Sequence, residues 1–198
     1  MRAILKNLFK TKVNYPPYWE NYVNKFKHKN NQRLVVLDCE TTGLVPDKDK
    51  ILSIGAVAIH QNIIYVEDHF SVFLEQDVCE PKSVPIHGII KNTSEVLVTE
   101  AQAIQDLLVF LGNSKIVGHH IQFDIQILNQ SLKRLNLPKL KNKTLDTNDL
   151  YSKYKGISQP MHKTLDDLCD EFDIVKKDRH TALGDAFLTA QVYQRLRA

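Results

Sequence analysis

Leu34-Val-Val-Leu37 is a short, apolar, partly β-branched run that ends abruptly in Asp38-Cys-Glu40. A run of this kind reads as a strand buried on both faces, which demands helices above and below the sheet it joins. Side chains alternate along a strand, so Asp38 and Glu40 share one face while Cys39 takes the other. Two carboxylates converging at the end of a buried strand repel each other unless something positive lies between them. A divalent cation is one answer, and oxygen-only donors favour Mg²⁺ or Mn²⁺. The plainer alternative is a strand end fraying into water with two unrelated acids.

The rest of the chain supplies the layers that such a strand needs. Ile51–His60 and Ile63–Leu74 read as two further strands joined by the tight Gln61-Asn62 connection, a hairpin signal. Thr99 heads a helical stretch over 100–111, with Ile104, Leu107, Leu108 and Leu111 at helical spacing and Gly112 just beyond. Lys115–Gly118 is a short strand, and Phe123–Leu135 an amphipathic helix halted ahead of Pro138. Short pieces come next, near Thr144 and over 149–154, and helices near 164–172 and 181–196 complete the pattern. Strands first, then helices mixed with strands, predict an α/β fold with a mixed sheet.

Two later segments carry polar groups of the same character. In Val117-Gly-His-His-Ile-Gln-Phe-Asp124 a strand ends at a glycine, and Asp124 falls in the first turn of the next helix, where an acid also complements the dipole. His119 and His120 lack the Cys or third His at ligand spacing that a zinc site needs, so packing or substrate contact is their better reading. In His180-Thr-Ala-Leu-Gly-Asp185 the two ends cannot share a face of one helix, since five residues turn the chain through about 500°. They converge only if His180 precedes the helix and Asp185 lies on it. An imidazole so placed is suited to accept a proton from water near neutral pH.

These three segments, Val36-Leu-Asp-Cys-Glu-Thr-Thr-Gly-Leu44, Gly118-His-His-Ile-Gln-Phe-Asp124 and His180-Thr-Ala-Leu-Gly-Asp185-Ala, resemble in order and spacing the three motifs of the DnaQ-like (DEDDh) 3′→5′ exonucleases. That family includes the epsilon proofreading subunit of bacterial DNA polymerase III. Ile54-Gly-Ala-Val57 and Ile86-His-Gly-Ile89 are also similar to family segments, and the likeness runs from about Arg33 to the C-terminus. The resemblance implies a ribonuclease-H-like fold, a five-stranded mixed sheet flanked by helices. It implies that Asp38, Glu40, Asp124 and Asp185 hold two Mg²⁺ or Mn²⁺ ions, that His180 is the general base, and that nucleoside 5′-monophosphates leave from the 3′ end of single-stranded DNA. It further implies substrate contacts from Thr41, Thr42, Leu44, His87, His120 and Phe123. For Thr41–Leu44 a simple turn, and for Phe123 an ordinary core ring, stand as the alternatives. Two positions depart from the family pattern: Ser53 stands where members often carry Glu or Gln, and His120 where many have Asn. The family motifs do not separate DNA from RNA, so an exoribonuclease of the same superfamily is the alternative, with a polymerase-associated proofreading or binding subunit as another.

Residues 1–30 are unlike the rest of the chain. They hold Arg2, Lys6, Lys10, Lys12, Lys25, Lys27 and Lys29 against the single acid Glu20, in a chain whose net charge is only +3. Phe9, Tyr15, Tyr18, Trp19, Tyr22 and Phe26 are interleaved with them. Such a segment either packs its rings on the domain with its lysines in water, or engages nucleic acid or a polymerase. Pro16-Pro17 divides it ahead of a short amphipathic helix at 18–28. The expected organisation is therefore a basic, aromatic-rich arm over 1–30 and an exonuclease domain over 31–198. No run reaches the roughly 20 apolar residues of a membrane span, and Lys6 interrupts the only leader-like stretch. With Cys39, Cys79 and Cys169 widely spaced and unpaired by motif, a reduced, cytoplasmic protein is expected. The tail through which the proofreading subunit holds its polymerase is expected to be absent beyond the last helix.

Overall fold

The computed structural model describes residues 14–29, 32–75, 96–158 and 161–197. Its elements, in chain order, are α1 (Pro17–Lys25), β1 (Arg33–Thr41), β2 (Ile51–His60), β3 (Ile63–Leu74), β4 (Leu97–Val98), α2 (Glu100–Leu111), β5 (Lys115–Gly118), α3 (Gln122–Arg134), β6 (Thr144–Asp146), α4 (Thr147–Tyr154), α5 (Leu165–Glu171) and α6 (Ala182–Arg197). The strands form one mixed sheet in the order β4-β3-β2-β1-β5-β6. The β1–β2 and β2–β3 pairs are antiparallel, and β1–β5, β5–β6 and β3–β4 are parallel.

The sheet thus has six strands rather than the five expected. The addition is β4, whose two residues pair with Phe73 and Leu74 at the end of β3. A two-residue, largely exposed strand is too short to leave a periodic signal in the sequence. The hairpin was legible because Gln61 and Asn62 both take positive φ, as the tightest two-residue connections require. Helix ends obey ordinary rules. Thr99 caps α2 by accepting from Gln102 N, Gly112 closes it at φ +50°, and Thr164 with Asp167 forms a reciprocal capping box on α5.

Alternation along β1 assigns its side chains to two helical layers. Val35, Leu37 and Cys39 enter the larger core, where α1, α2 and α3 cover one face of the sheet. Val36 points the other way, into a cluster with Val57, Val117 and the α6 residues Ala190 and Tyr193. Asp38 and Glu40 continue the Val36 row toward the amino end of α6. Helices α4, α5 and α6 share a third cluster that includes Leu168, Cys169 and Val192.

The rings of α1 belong to the first layer. Trp19 and Tyr22 are buried, and the Tyr22 hydroxyl donates to Asn142 Oδ1 at 2.7 Å while accepting from Lys141 N at 2.7 Å. Burial raises the Tyr22 pKa to about 12. Of the two readings of this aromatic stretch, the described part packs its rings on the domain. Pro17 opens α1 at a position where its missing N–H costs nothing. Among the described residues no helix is long and apolar enough to cross a membrane. Cys39 and Cys169 are buried free thiols with raised pKa values, chiefly through burial, which makes them poor nucleophiles. Cys79 lies outside the described residues.

Candidate active site

Three carboxylates meet at the end of β1. Asp38, Glu40 and Asp185 each offer an oxygen within 4.8 Å of the others. The first two come from the central strand, and the third from the first turn of α6, which the sheet itself holds in place. Gly55 of β2 lies directly opposite Asp38 in the register. A Cβ at Gly55 would sit 2.1 Å from Leu183 N and 2.2 Å from the Ala182 carbonyl carbon. The first turn of α6 therefore rests its backbone on the bare backbone of β2, and this close approach brings Asp185 over Asp38.

Asp124 reaches the site from the opposite layer. Pairing of β1 with β5 ends at Val36–Val117, and the Cys39 N–H beyond it donates to Asp124 Oδ1 at 2.9 Å. Asp124 is 4% exposed in the first turn of α3. Burial is the main cause that raises its pKa to about 7, with the Glu40 charge adding and the Cys39 N–H opposing. Asp38 is held well above the ordinary carboxylate range, first by burial and then by the charges of Asp124, Asp185 and Glu40. Burial likewise raises Asp185, against the pull of Arg179.

A close set of hard oxygen donors fits a divalent cation, which would offset the charge gathered there. Asp38, Glu40 and Asp185 lie close enough together to hold such an ion, and Asp124 falls outside that group. Stability is predicted to report this. A carboxyl whose pKa is higher folded than unfolded binds more protons when folded, so its contribution is present at low pH and is lost as pH rises from about 4 to about 7. Without added cation, the melting temperature of the wild type relative to Asp124→Asn should fall across that window. Mn²⁺ should restore it at pH 7. A difference that stays flat with pH would refute the assignment of a strained carboxyl to Asp124.

His180 and Arg179 flank Asp185. Thr181 caps α6: its hydroxyl accepts from Gly184 N at 3.1 Å and donates to the Asp178 carbonyl at 2.6 Å. His180 therefore precedes the helix, as convergence with Asp185 requires, with φ +64° and its imidazole exposed. Its backbone N–H donates to Asp185 Oδ1 at 3.4 Å. Arg179 escaped the sequence reading. Its guanidinium donates to Asp166 Oδ1 at 2.9 Å from Nε and to Asp185 Oδ2 from Nη1, bridging α5 to α6. Gly184 was also missed as a structural requirement: a Cβ there would meet the Asp178 carbonyl oxygen at 2.1 Å. A basic residue adjoining His180, and glycines placed opposite or beside the acids, were the signals available.

The remaining expected contacts divide. Thr41 donates its hydroxyl to the Gly43 carbonyl at 2.7 Å, and Thr42 donates to Asp49 at 2.9 Å, so both hydroxyls hold the turn after β1. Leu44 projects from that turn, 84% exposed. Phe123 is partly buried and packs against the larger core. His120 is exposed at φ +54°, with its ring stacked on His162 at 6.1 Å between centroids and edge-on to His119 at 4.5 Å. His119 Nδ1 lies 2.8 Å from Thr147 Oγ1, and burial, followed by the charges of His120 and Arg179, lowers its pKa to about 4. It is a neutral packing histidine at physiological pH. His87 lies outside the described residues. Ser53 is buried opposite Glu40, with a hydroxyl that has no hydrogen-bond partner among the described residues.

Comparison with known proteins agrees with this picture. Residues 35–193 match the family model RNase_T, described as exonuclease. The chain is 33% identical over 165 residues to the PolC-type DNA polymerase III of Thermotoga petrophila, covering 83% of this chain but 12% of that one. It is 32% identical to the DNA polymerase III epsilon subunit of Rickettsia conorii, covering 83% of this chain and 73% of that subunit. Among solved structures, E. coli exonuclease I in complex with a dT13 oligonucleotide superposes with a TM-score of 0.69 at 18% identity, over 84% of this chain and 41% of that one. The cell-death related nuclease 4 (CRN-4) gives 0.70 at 16% identity, over 84% and 64%. At such identities the structural likeness concerns the fold. The chain spans only about an eighth of the PolC-type polymerases it matches.

Proposed function

The chain belongs to the RNase_T exonuclease family, and on that premise we propose that it is a metal-dependent 3′→5′ exonuclease of the DEDDh type acting on single-stranded DNA. The observation that carries this reading is the meeting of Asp38, Glu40 and Asp185 within 4.8 Å, with the exposed imidazole of His180 beside the last of them. Residues 31–198 are the exonuclease domain in this reading, and residues 1–30 precede it as a basic segment whose α1 rings complete the core.

Asp38, Glu40, Asp124 and Asp185 would hold Mg²⁺ or Mn²⁺ ions. When bound, such ions neutralise the scissile phosphate and make a water acidic enough to yield its proton near neutral pH. His180 is the group that takes this proton. Its place ahead of the α6 cap leaves the ring in solvent, able to reach the site and return the proton to water. The water that has given its proton to His180 attacks phosphorus, the P–O3′ bond opens, the leaving O3′ takes a proton from solvent, and a nucleoside 5′-monophosphate departs from a strand that ends in a new 3′-hydroxyl. Leu44 wedges against the terminal base from the turn formed by Thr41 and Thr42, Phe123 offers a ring edge, and His120 with His87 contacts the sugar or base. Arg179, by tying Asp185 to Asp166, orients a carboxylate that the reaction needs.

His180→Ala should lower turnover by about 10²–10⁴-fold, the usual worth of a positioned base, while leaving Mn²⁺ affinity nearly unchanged. Normal turnover at pH 7 in that variant, read by release of labelled monophosphate, would remove His180 from the role. The reading as a whole is tested with matched 5′-labelled DNA and RNA single strands, incubated with Mg²⁺ or Mn²⁺ and with a chelator control. Stepwise shortening of DNA from its 3′ end that stops with chelator is the expected result. Preference for the RNA strand would move the substrate to RNA, and failure to shorten either strand with Mn²⁺ bound would overturn the enzymatic reading.

A further inference from the structure

At the other end of β1, roughly 20 Å from the acids at about 3.3 Å per residue, the sheet opens onto a second concavity. It has a volume of about 770 Å³ and lies between the start of β1, the β2–β3 turn, the start of β5, the segment before β6 and the last turn of α6. Its wall contains Arg33, Lys115, Lys141, Lys143 and Arg197, and no Asp or Glu. The rings of Phe26, His28 and Tyr193 also line it, Tyr193 being largely buried.

The cations are arranged rather than scattered. Lys115 and Lys143 are brought together because Ile116 N donates to the Lys143 carbonyl at 2.9 Å, which locks the two segments side by side. Lys141 and Lys143 flank Asn142, whose side chain is clamped inward: its Nδ2 donates to the Ser114 carbonyl at 2.7 Å and to the Gly112 carbonyl at 3.0 Å. The Lys141 backbone is itself fixed by the Tyr22 hydroxyl, and its ammonium lies 5.5 Å from the centre of the Phe26 ring. Arg33 is committed to Asp68, at 3.0 and 3.1 Å, and to the Phe110 carbonyl, so it forms wall rather than ligand. Among the described residues no carboxylate pairs with Lys115, Lys143 or Arg197. Like charges around one concavity create a positive potential that an anion relieves.

We propose that this cavity binds a nucleoside 5′-phosphate, with its phosphates on Lys115, Lys143 and Arg197 and its base against Phe26 and Tyr193. The volume suits one nucleotide, and stacking rings beside cations are the chemistry that recognises one. The same group could arrive as a free nucleotide or within a strand, and the site is separate from the acids that would cut it.

The experiment is titration calorimetry on the full chain in EDTA, where the unneutralised acids at the far end repel phosphate. The probes are ATP, inorganic tripolyphosphate and a 12-nucleotide oligo-dT. ATP should bind, and Lys115→Glu/Lys143→Glu should weaken it at least tenfold with a melting temperature near that of the wild type, since both side chains are exposed. Asp185→Asn should bind ATP as the wild type does. Displacement of ATP by oligo-dT would assign the site to a nucleotide within a strand, and ATP binding without displacement to a free nucleotide. Absence of ATP binding at 1 mM, affinity unchanged in the double variant, or tripolyphosphate binding as tightly as ATP would overturn the proposal.

Discussion

Asp38→Asn should abolish turnover, by about 10³-fold or more, and yet give a protein that melts higher than the wild type in the absence of divalent ions. Both halves stem from one environment. Asp38 lies on the row of β1 that faces α6, where Glu40 and Asp185 offer oxygens within 4.8 Å and the Asp124 charge adds to theirs. The amide keeps the shape and removes one charge from a set whose repulsion Arg179 only partly offsets. Lost transition-state electrostatics typically cost 10²–10³ for a single donor, and a central ligand of the acid cluster should cost at least the upper figure. The checks are monophosphate release with Mn²⁺ and thermal melting in EDTA. Wild-type turnover would refute the role of Asp38 in ion binding, and a lower melting temperature would refute the account of its raised pKa.

Gly55→Ala should damage stability and turnover together. The added methyl would overlap the backbone of Ala182 and Leu183 at 2.1–2.4 Å, and backbone cannot turn aside as a side chain can. The helix must lift, which should cost about 3 kcal/mol, at the upper end for overpacking. A shift of about 1 Å in Asp185 should cost about 10²-fold in turnover on top of that. Urea denaturation and monophosphate release measure the two. Ser53→Ala, two residues along β2 on the same face, is the control: it removes only a hydroxyl without a partner among the described residues, and should leave stability within about 1 kcal/mol. If Gly55→Ala behaved like Ser53→Ala, the seating of α6 on β2 would not be what positions Asp185.

How much of this was legible depends on which features leave a local mark. The strands over 33–41, 51–60 and 63–74 and the helix over 100–111 announce themselves through apolar runs, a two-residue turn and a capped helical period. Asp38 and Glu40 could be paired from strand alternation alone, and His180 set ahead of its helix from the angle between it and Asp185. The features that stayed hidden rest on contacts between distant segments. Nothing near Gly55 tells that a helix more than a hundred residues later will touch it, and nothing near Arg179 names Asp166 as its second partner. The strand at Leu97–Val98 was missed because two residues carry no period. The turn chemistry of Thr41 and Thr42 was visible only as the alternative to a substrate role, because a threonine hydroxyl serves either purpose.

The seating of α6 on the sheet also fixes when the three carboxylates can meet. Asp38 and Glu40 lie more than a hundred residues ahead of Asp185 and His180, which come with the last helix described. That helix supplies the inner side of two apolar clusters as well as the third carboxylate. A ribosome-bound chain can lay down the hairpin of β2 and β3 and pair it with β1, but such contacts between distant parts of a sequence form late. The acids therefore come into register only when the final layer closes. Truncation ahead of residue 180 should therefore leave Asp38 and Glu40 without their third carboxylate.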